Sequence, residues 1–193
     1  MVLLKRDENM EQIREAKKIS SESYFVQDKY YNNSYFFLNK EKGVLGIVSE
    51  YGNMGYVLDC TCKDFKEILI GIDPYYMLSK LKKPVFDLKG TVKNLKEWIL
   101  ETRKENNCTK EQALEIWEMI EEIEQEGIED EGYIFKFFND NRFLIEEFEC
   151  DFFCDVVSLL IAKKWTEHDK FFINYIWKSF IDLLKEEKGL VNE

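Results

Sequence analysis

The sequence predicts an α+β fold: a small antiparallel β-meander near the N-terminus packed with a mainly helical C-terminal half. Three observations carry this expectation. Short apolar runs rich in β-formers, broken by glycine-bearing turn signals, fill residues 24–58. Beyond Asp59 the apolar spacing turns helical, with capping residues at matching offsets. Only two prolines and nine glycines in 193 residues leave little room for linkers. One α+β domain over residues 1–193 is therefore expected, with a sheet-bearing lobe over 1–90 and a helical lobe over 91–193 as its subdivision.

Each element has its own local warrant. Met10, Ile13, Ala16 and Ile19 fall roughly on one helical face and predict a short amphipathic helix over 9–20. Tyr24-Phe25-Val26, Tyr35-Phe36-Phe37-Leu38, Val44-Leu45-Gly46-Ile47-Val48 and Tyr56-Val57-Leu58 predict three or four strands, with turns at 40–43 and 51–53. These runs are apolar rather than alternating, so the sheet is expected to be covered on both faces, at least in part. Thr61, with Asp64 three residues on, predicts a capped helix with Phe65, Ile68 and Leu69 on its face and Gly71 at its end. Asp73-Pro74 places a cap before a proline at the first helical position, opening a helix that reaches about Lys82 and is stopped by Pro84. Residues 85–88 fit a short edge strand or a connector.

Thr91 predicts the cap of a helix with Val92, Leu95, Trp98, Ile99 and Thr102 on one side. Thr109 with Gln112 forms a capping box for the next helix, which runs to about Gln125 and ends near Gly127. Residues 133–138 fit helix or strand. Residues 151–164 read as helical, with Phe152, Phe153, Val156, Leu159, Leu160 and Ala162 on a broad face. Thr166 with Asp169 caps a final helix to about Glu187. Its stripe is Phe172, Tyr175, Ile176, Phe180, Leu183 and Leu184, widened by Trp177 and Ile181.

Charge is distributed unevenly along this framework. The chain carries a net charge of −11, yet residues 111–162 hold sixteen acidic residues against only Lys136 and Arg142. The rest of the chain is weakly basic. An acidic protein repels nucleic-acid phosphates and anionic membranes, so neither direct nucleic-acid binding nor membrane association is expected. No stretch approaches the ~20 apolar residues of a membrane span, and Lys5 to Glu8 interrupt any leader-like apolar run, so a cytoplasmic location is expected. Five cysteines, an odd number without framework spacing, fit free thiols in a reducing compartment. The Lys-, Glu-, Ile- and Asn-rich composition resembles that of bacterial and phage proteins.

The acidity concentrates on one predicted helix. At about 100° per residue, Ala113, Ile116, Trp117, Ile120 and Ile123 gather on one side of 109–125. Glu111, Glu115, Glu118, Glu122 and Glu126 gather on the other, and Glu129, Asp130 and Glu131 extend the ridge past Gly127. Glu121 sits at the boundary. Glu124 falls on the apolar side, where the face should end or fray. The like-charge pairs at i,i+4 each cost about 0.2–0.5 kcal/mol, and glutamates near the helix C-terminus oppose the macrodipole.

Two readings meet here. In one, the ridge is a solvated face in a glutamate-rich protein, matched in part by the preceding segment 80–110, with nine basic and four acidic residues. A helix hairpin through Asn106, Asn107 and Cys108 would bring Arg103 and Lys104 to Glu111 and Glu115. In the other, the spaced carboxylates imitate a nucleic-acid backbone and dock on a Lys/Arg-lined groove.

Other constellations carry less. Cys60 and Cys62, with Cys150 and Cys154, lack the two-residue gap usual in zinc pairs, so structural thiols are expected and no metal. The only histidine, His168, reads as a surface residue of a first turn. There is no phosphate-binding glycine loop, no Gly-x-Ser-x-Gly elbow, no His-Glu-x-x-His and no calcium loop. No cofactor and no catalytic residue is assigned. The final helix is apolar over half its circumference, so it is either central or covered by a second chain, and a homodimer is the secondary expectation.

The sequence therefore points to a non-enzymatic acidic binding protein of the immunity or phage anti-defence inhibitor type. It would sequester a basic-surfaced nuclease or other nucleic-acid-handling protein through Glu111, Glu115, Glu118, Glu122, Glu126, Glu129, Asp130 and Glu131, with carboxylates of 146–155 as an extension. The alternatives are a small enzyme with an unrecognised site and an oligomer held by the aromatic C-terminal helix. An enzyme predicts a concave pocket with convergent polar groups, an inhibitor an exposed acidic ridge, and an oligomer an exposed aromatic patch.

Overall fold

A computed structural model describes residues 18–58, 64–127, 130–140 and 158–190. The chain divides into two compact units, Met1–Lys82 with Phe171–Glu193, and Lys83–Lys170. The four-strand antiparallel sheet and the helices that follow it make the protein α+β, as its sequence predicts. The helix expected over 9–20 lies, but for its last residues, outside the described residues.

The first unit is built on the meander β1 (Glu22–Gln27), β2 (Asn33–Asn39), β3 (Val44–Ser49) and β4 (Met54–Val57), hydrogen-bonded in that order. Register is set by the inward residues: Tyr24 faces Phe36 across the first pair, Phe36 faces Ile47 across the second, and Ile47 faces Met54 across the third. The β2–β3 turn closes through Gly43 at φ 61°, a conformation open to glycine at little cost. Helix α1 (Phe65–Gly71) is capped by Asp64, whose carboxylate accepts from the Lys66 N–H at 2.9 Å. Asp64 thus takes the role expected of Thr61, which lies outside the described residues. Helix α2 (Pro74–Leu81) starts as expected, with Asp73 accepting from the Tyr76 N–H at 2.7 Å and Pro74 at the first position.

The C-terminal stretch returns to this unit as a π-helical turn, Phe172–Trp177, continued by an α-helix, Lys178–Glu187. Phe172, Ile173, Ile176, Trp177, Phe180, Ile181 and Leu184 are buried. At the centre Phe36 stacks on Phe180 with ring centroids 4.1 Å apart, flanked by Trp177 and Phe172. Tyr175 and Leu183, expected on the buried stripe, are exposed. The wider turn inserts an extra residue into the helical repeat, which shifts the apolar phase and brings Ile173 inward in their place. The apolar half of this helix is thereby used within its own unit.

Among the described residues the sheet is covered on one face only. Phe36, Leu38, Leu45 and Ile47 are buried, whereas Phe25, Tyr35, Phe37, Val48 and Val57, on the opposite face, are exposed. Two-sided cover, expected at least in part from the unbroken apolar runs, is therefore not seen among the described residues. The run pattern reports apolarity on both faces, and apolarity alone does not supply a second layer.

The second unit contains β5 (Val85–Phe86), α3 (Leu88–Lys104), α4 (Lys110–Glu126), α5 (Glu131–Asp140), β6 (Lys163–Lys164) and α6 (Glu167–Phe171), whose last residue re-enters the first unit. Its core joins Val92, Leu95 and Ile99 of α3, Ile116, Met119, Ile120 and Ile123 of α4, and Ile134 and Phe138 of α5. Residues 133–138 are thus helical. Thr91 lies inside α3 rather than at its cap, and its hydroxyl accepts from the Ala162 N–H at 2.9 Å. Asp87 holds the cap position instead. Lys163 and Lys164, expected to end a helix, pair with Phe86 and Val85 as a short antiparallel ladder. Backbone pairing across the start of α3 outweighs helical propensity there, and the close packing excludes a side chain at Gly90, where a Cβ would stand 2.7 Å from that of Ala162. Thr166 and Asp169 form the predicted reciprocal cap, with Asp169 N–H to Thr166 Oγ1 at 3.1 Å and Thr166 N–H to Asp169 Oδ2 at 3.2 Å.

Candidate functional site

Helix α4 begins at the predicted capping box. The Gln112 N–H donates to Thr109 Oγ1 at 3.2 Å, and the Thr109 N–H donates to Gln112 Oε1 at 2.8 Å. It ends at Gly127, whose φ of 64° is the left-handed C-terminal stop. Between these ends Ile116, Met119, Ile120 and Ile123 turn inward, so the 3.6-residue repeat sends Glu111, Glu115, Glu118, Glu122 and Glu126 outward, and all five are exposed.

These carboxylates are not equally engaged. Glu126 accepts from the Tyr133 hydroxyl at 2.5 Å, a bond that pushes the Tyr133 phenol up, with burial adding to it. Asp130 is exposed and accepts from the Gly132 N–H at 2.8 Å, starting α5. Glu131 is half-buried and pairs with Lys163 at 3.3 Å. Glu121 accepts from the Trp117 indole N–H at 2.8 Å. Among the described residues, no lysine or arginine pairs with Glu111, Glu115, Glu118 or Glu122. Glu129 and the carboxylates of 146–155 lie outside the described residues.

Two sequence expectations about the ridge change. Glu124 does not fray the helix; it pairs with Lys96 of α3 at 2.7 Å, and the Lys96 ammonium also lies 5.3 Å from the Trp117 ring centre. A lysine reaching across the helix pair thus accommodates a carboxylate at the edge of the apolar face. Arg103 and Lys104 do not meet Glu111 and Glu115. The Arg103 guanidinium instead donates to the Cys108 carbonyl at 3.4 Å, closing the loop in which Asn106 takes a φ of 60°. Internal neutralisation of the ridge by the basic segment therefore reduces, among the described residues, to Lys96 with Glu124.

The remaining sequence candidates are quickly placed. Cys108 is buried, and burial raises its thiol pKa. Cys60, Cys62, Cys150 and Cys154 lie outside the described residues. His168 is exposed in the first turn of α6. Among the described residues no group of three or more metal-ligating side chains forms, and no helix is long and apolar enough to cross a membrane.

The first unit holds a groove of about 350 Å³ lined by Val26, Gln27, Asp28, Lys29, Phe171 and Tyr175 among others. Its carboxylate, Asp28, already accepts from the N–H groups of Tyr30 and Asn32, the Asn32 amide and the Tyr51 hydroxyl. Burial pushes the Asp28 carboxyl up, but these bonds outweigh it and hold it at about 2. Asp28 is thereby committed to the β1–β2 turn.

Two features had no sequence signal strong enough to single them out. One is the exposed apolar sheet face. The other is Lys66, a buried lysine clamped between Glu22 and Glu187, with the Tyr24 hydroxyl within hydrogen-bond distance of both carboxylates, at 2.7 and 3.0 Å. Lys66 and Glu187 lie far apart in the chain, so no local motif could pair them.

No curated protein and no solved structure matches the chain. A family model described as a phage family matches residues 12–186.

Proposed function

The chain belongs to this phage family, and from that premise we propose that it is a non-enzymatic inhibitor that sequesters a basic, nucleic-acid-handling protein. The observation that carries the reading is the row Glu111, Glu115, Glu118 and Glu122, exposed on one side of α4 and without an ion pair among the described residues. Neighbouring carboxylates that are tied up, Glu124 by Lys96 and Glu131 by Lys163, mark the contrast. Successive members of the row stand three or four residues apart, about 4.5–6 Å along the helix axis. That spacing approaches the separation of successive phosphates along one nucleic-acid strand, which rise 3.4 Å each along the duplex axis and follow a longer path around it. A groove lined by lysine and arginine for nucleic acid can accept such a row.

The mechanism is electrostatic. Long-range attraction steers the partner's basic groove onto the ridge, and the rigid helix then occupies the groove so that nucleic acid is excluded. Attraction of this kind is screened over about 8–10 Å at physiological salt, so capture weakens steeply as salt rises.

The test is affinity capture from the native host at low and high salt, with the wild type beside a triple variant, Glu115→Lys, Glu118→Lys and Glu122→Lys. Wild-type capture of a basic nucleic-acid-handling protein at low salt, lost in the triple variant while its circular dichroism and melting remain wild-type, supports the reading. Capture that survives the three reversals overturns it.

A further inference from the structure

We propose that the uncovered face of the β1–β4 sheet seats a second copy of this chain, in a two-fold dimer made by sheet-on-sheet packing. The inference goes beyond the acidic-helix reading and does not depend on it. It starts from the alternation of the strands. The outward positions are Ser23, Phe25 and Gln27 on β1, Asn33, Tyr35, Phe37 and Asn39 on β2, Val44, Gly46 and Val48 on β3, and Gly55 and Val57 on β4. None is charged.

Five apolar members of this face are open to solvent, and Val44 is half-buried. Phe25, Tyr35, Phe37, Val48 and Val57 are 50, 44, 37, 50 and 65 % exposed. They are neighbours in the ladder: Phe25 faces Tyr35 with ring centroids 5.1 Å apart, Tyr35 faces Val48, and Phe37 faces Gly46. Taking 150–250 Å² for a whole aromatic side chain and less for valine, they expose roughly 400–500 Å² of apolar surface. A contiguous patch of that size matches the largest apolar patch of a typical monomer, which is often functional.

Area and charge select the occupant. Strands about 4.8 Å apart and six residues long give a footprint of roughly 20 by 20 Å. A stable interface takes about 800 Å² from each partner. The apolar side chains supply about half of that, and the strand edges and uncharged rim can supply the rest. At the rim, Gln27 and Asn33 already hydrogen-bond one another at 3.0 Å.

A polyanion would require lysine or arginine here, and this face has none. A two-fold axis sets a surface against itself, which an uncharged face permits and a face of one charge sign forbids. The Gly46–Gly55 pair, opposed in register, carries no side chain of its own, and the Phe37 Cβ and Cδ2 lie 3.8 and 4.0 Å from where a Gly46 Cβ would stand. Two such sheets stack about 10 Å apart with strands within about 30° of parallel.

Sedimentation velocity over a wide concentration range tests this. The wild type is expected to dimerise. Val48→Glu and Val48→Lys, each placing like charges near the two-fold, are each expected to weaken the dimer by ~100-fold or more, and an equimolar mixture of the two to restore it. Circular dichroism melting controls for folding. If either Val48 variant misfolds, the pair Tyr35→Glu and Tyr35→Lys replaces it. A wild type that stays monomeric at the highest concentration overturns the proposal, leaving the face to another occupant. So does a dimer that persists in all the singly charged variants, because it must then form through another surface. The Glu115, Glu118 and Glu122 reversals leave dimerisation unchanged, so the two readings fail separately.

Discussion

In the first unit carboxylates share lysines: Glu22 and Glu187 hold Lys66 between them, and Asp64 and Glu67 hold Lys188, at 2.9 and 2.8 Å. On α4, by contrast, Glu111, Glu115, Glu118 and Glu122 stand beside one another with no such partner among the described residues. The physical consequence differs in sign. Burial pushes the Glu22 carboxyl up, yet hydrogen bonds from Lys40, Lys66 and Tyr24 outweigh it and hold it at about 2. The Lys66 hydrogen bond likewise lowers Glu187, against the opposing effect of burial. Those charges stabilise the fold. The α4 row repels itself by about 0.2–0.5 kcal/mol per i,i+4 pair, and no cation among the described residues offsets it. One region uses carboxylates to close a structure, and the other leaves them open.

The sharpest way to break the comparison is to remove the shared lysine. Lys66→Met keeps the aliphatic stem and deletes the charge. A fully buried pair would lose about 3–5 kcal/mol. Because Glu22 and Glu187 are nearly half exposed, screening reduces the expected loss to about 1–2 kcal/mol, read by urea unfolding. The same substitution changes the acid limb. The folded Glu22 carboxyl sits at about 2 against an ordinary 4.5, so on acidification the unfolded chain takes up this proton first. Its stabilisation is therefore complete above about pH 4.5 and is lost as pH falls toward 2. Acid titration of unfolding should show that loss in the wild type and a flatter limb in Lys66→Met. An unchanged acid limb would show that the clamp does not govern the carboxyl.

A smaller effect is expected from Lys96→Met, which removes the bridge to Glu124 and the ammonium beside the Trp117 ring while keeping the aliphatic stem. The second unit should lose about 0.5–1 kcal/mol, most of it at low salt. Equal loss at low and high salt would mean that packing, and not charge, is what Lys96 contributes.

The smallest effect runs in the opposite direction. Glu118→Lys replaces a repulsive i,i+4 pair with Glu122 by an attractive one, so thermal stability should rise by about 0.5 kcal/mol at low salt. A fall in stability would mean that the glutamates of α4 already have partners that make the row favourable.

Much of the fold was legible locally. Thr109 with Gln112, Thr166 with Asp169, and Asp73 with Pro74 announced helix starts because a cap reaches only two or three residues along its own chain. The four apolar runs gave the meander for a similar reason, since consecutive strands with short turns pair with their neighbours. The exposed row on α4 was equally visible, as the 3.6-residue repeat that buries Ile116 and Ile120 must turn Glu115 and Glu118 outward. Thr91 misled because a cap signature and a buried hydroxyl bound to a distant N–H look alike in sequence. Tyr175 misled because a helical wheel assumes a uniform repeat, and the π-helical turn breaks it.

The sequence by itself determined which residues are apolar, which stretches are strand or helix, and where negative charge collects on one helix face. These follow from interactions between residues at most a few positions apart. Only the tertiary structure decided that, among the described residues, one sheet face is buried and the other exposed, that Lys66 closes on Glu187, that Lys96 rather than Arg103 meets α4, and that Lys163–Lys164 pairs with Val85–Phe86. Each of those outcomes depends on which distant surface excludes water or supplies a counter-charge, and no local pattern encodes that.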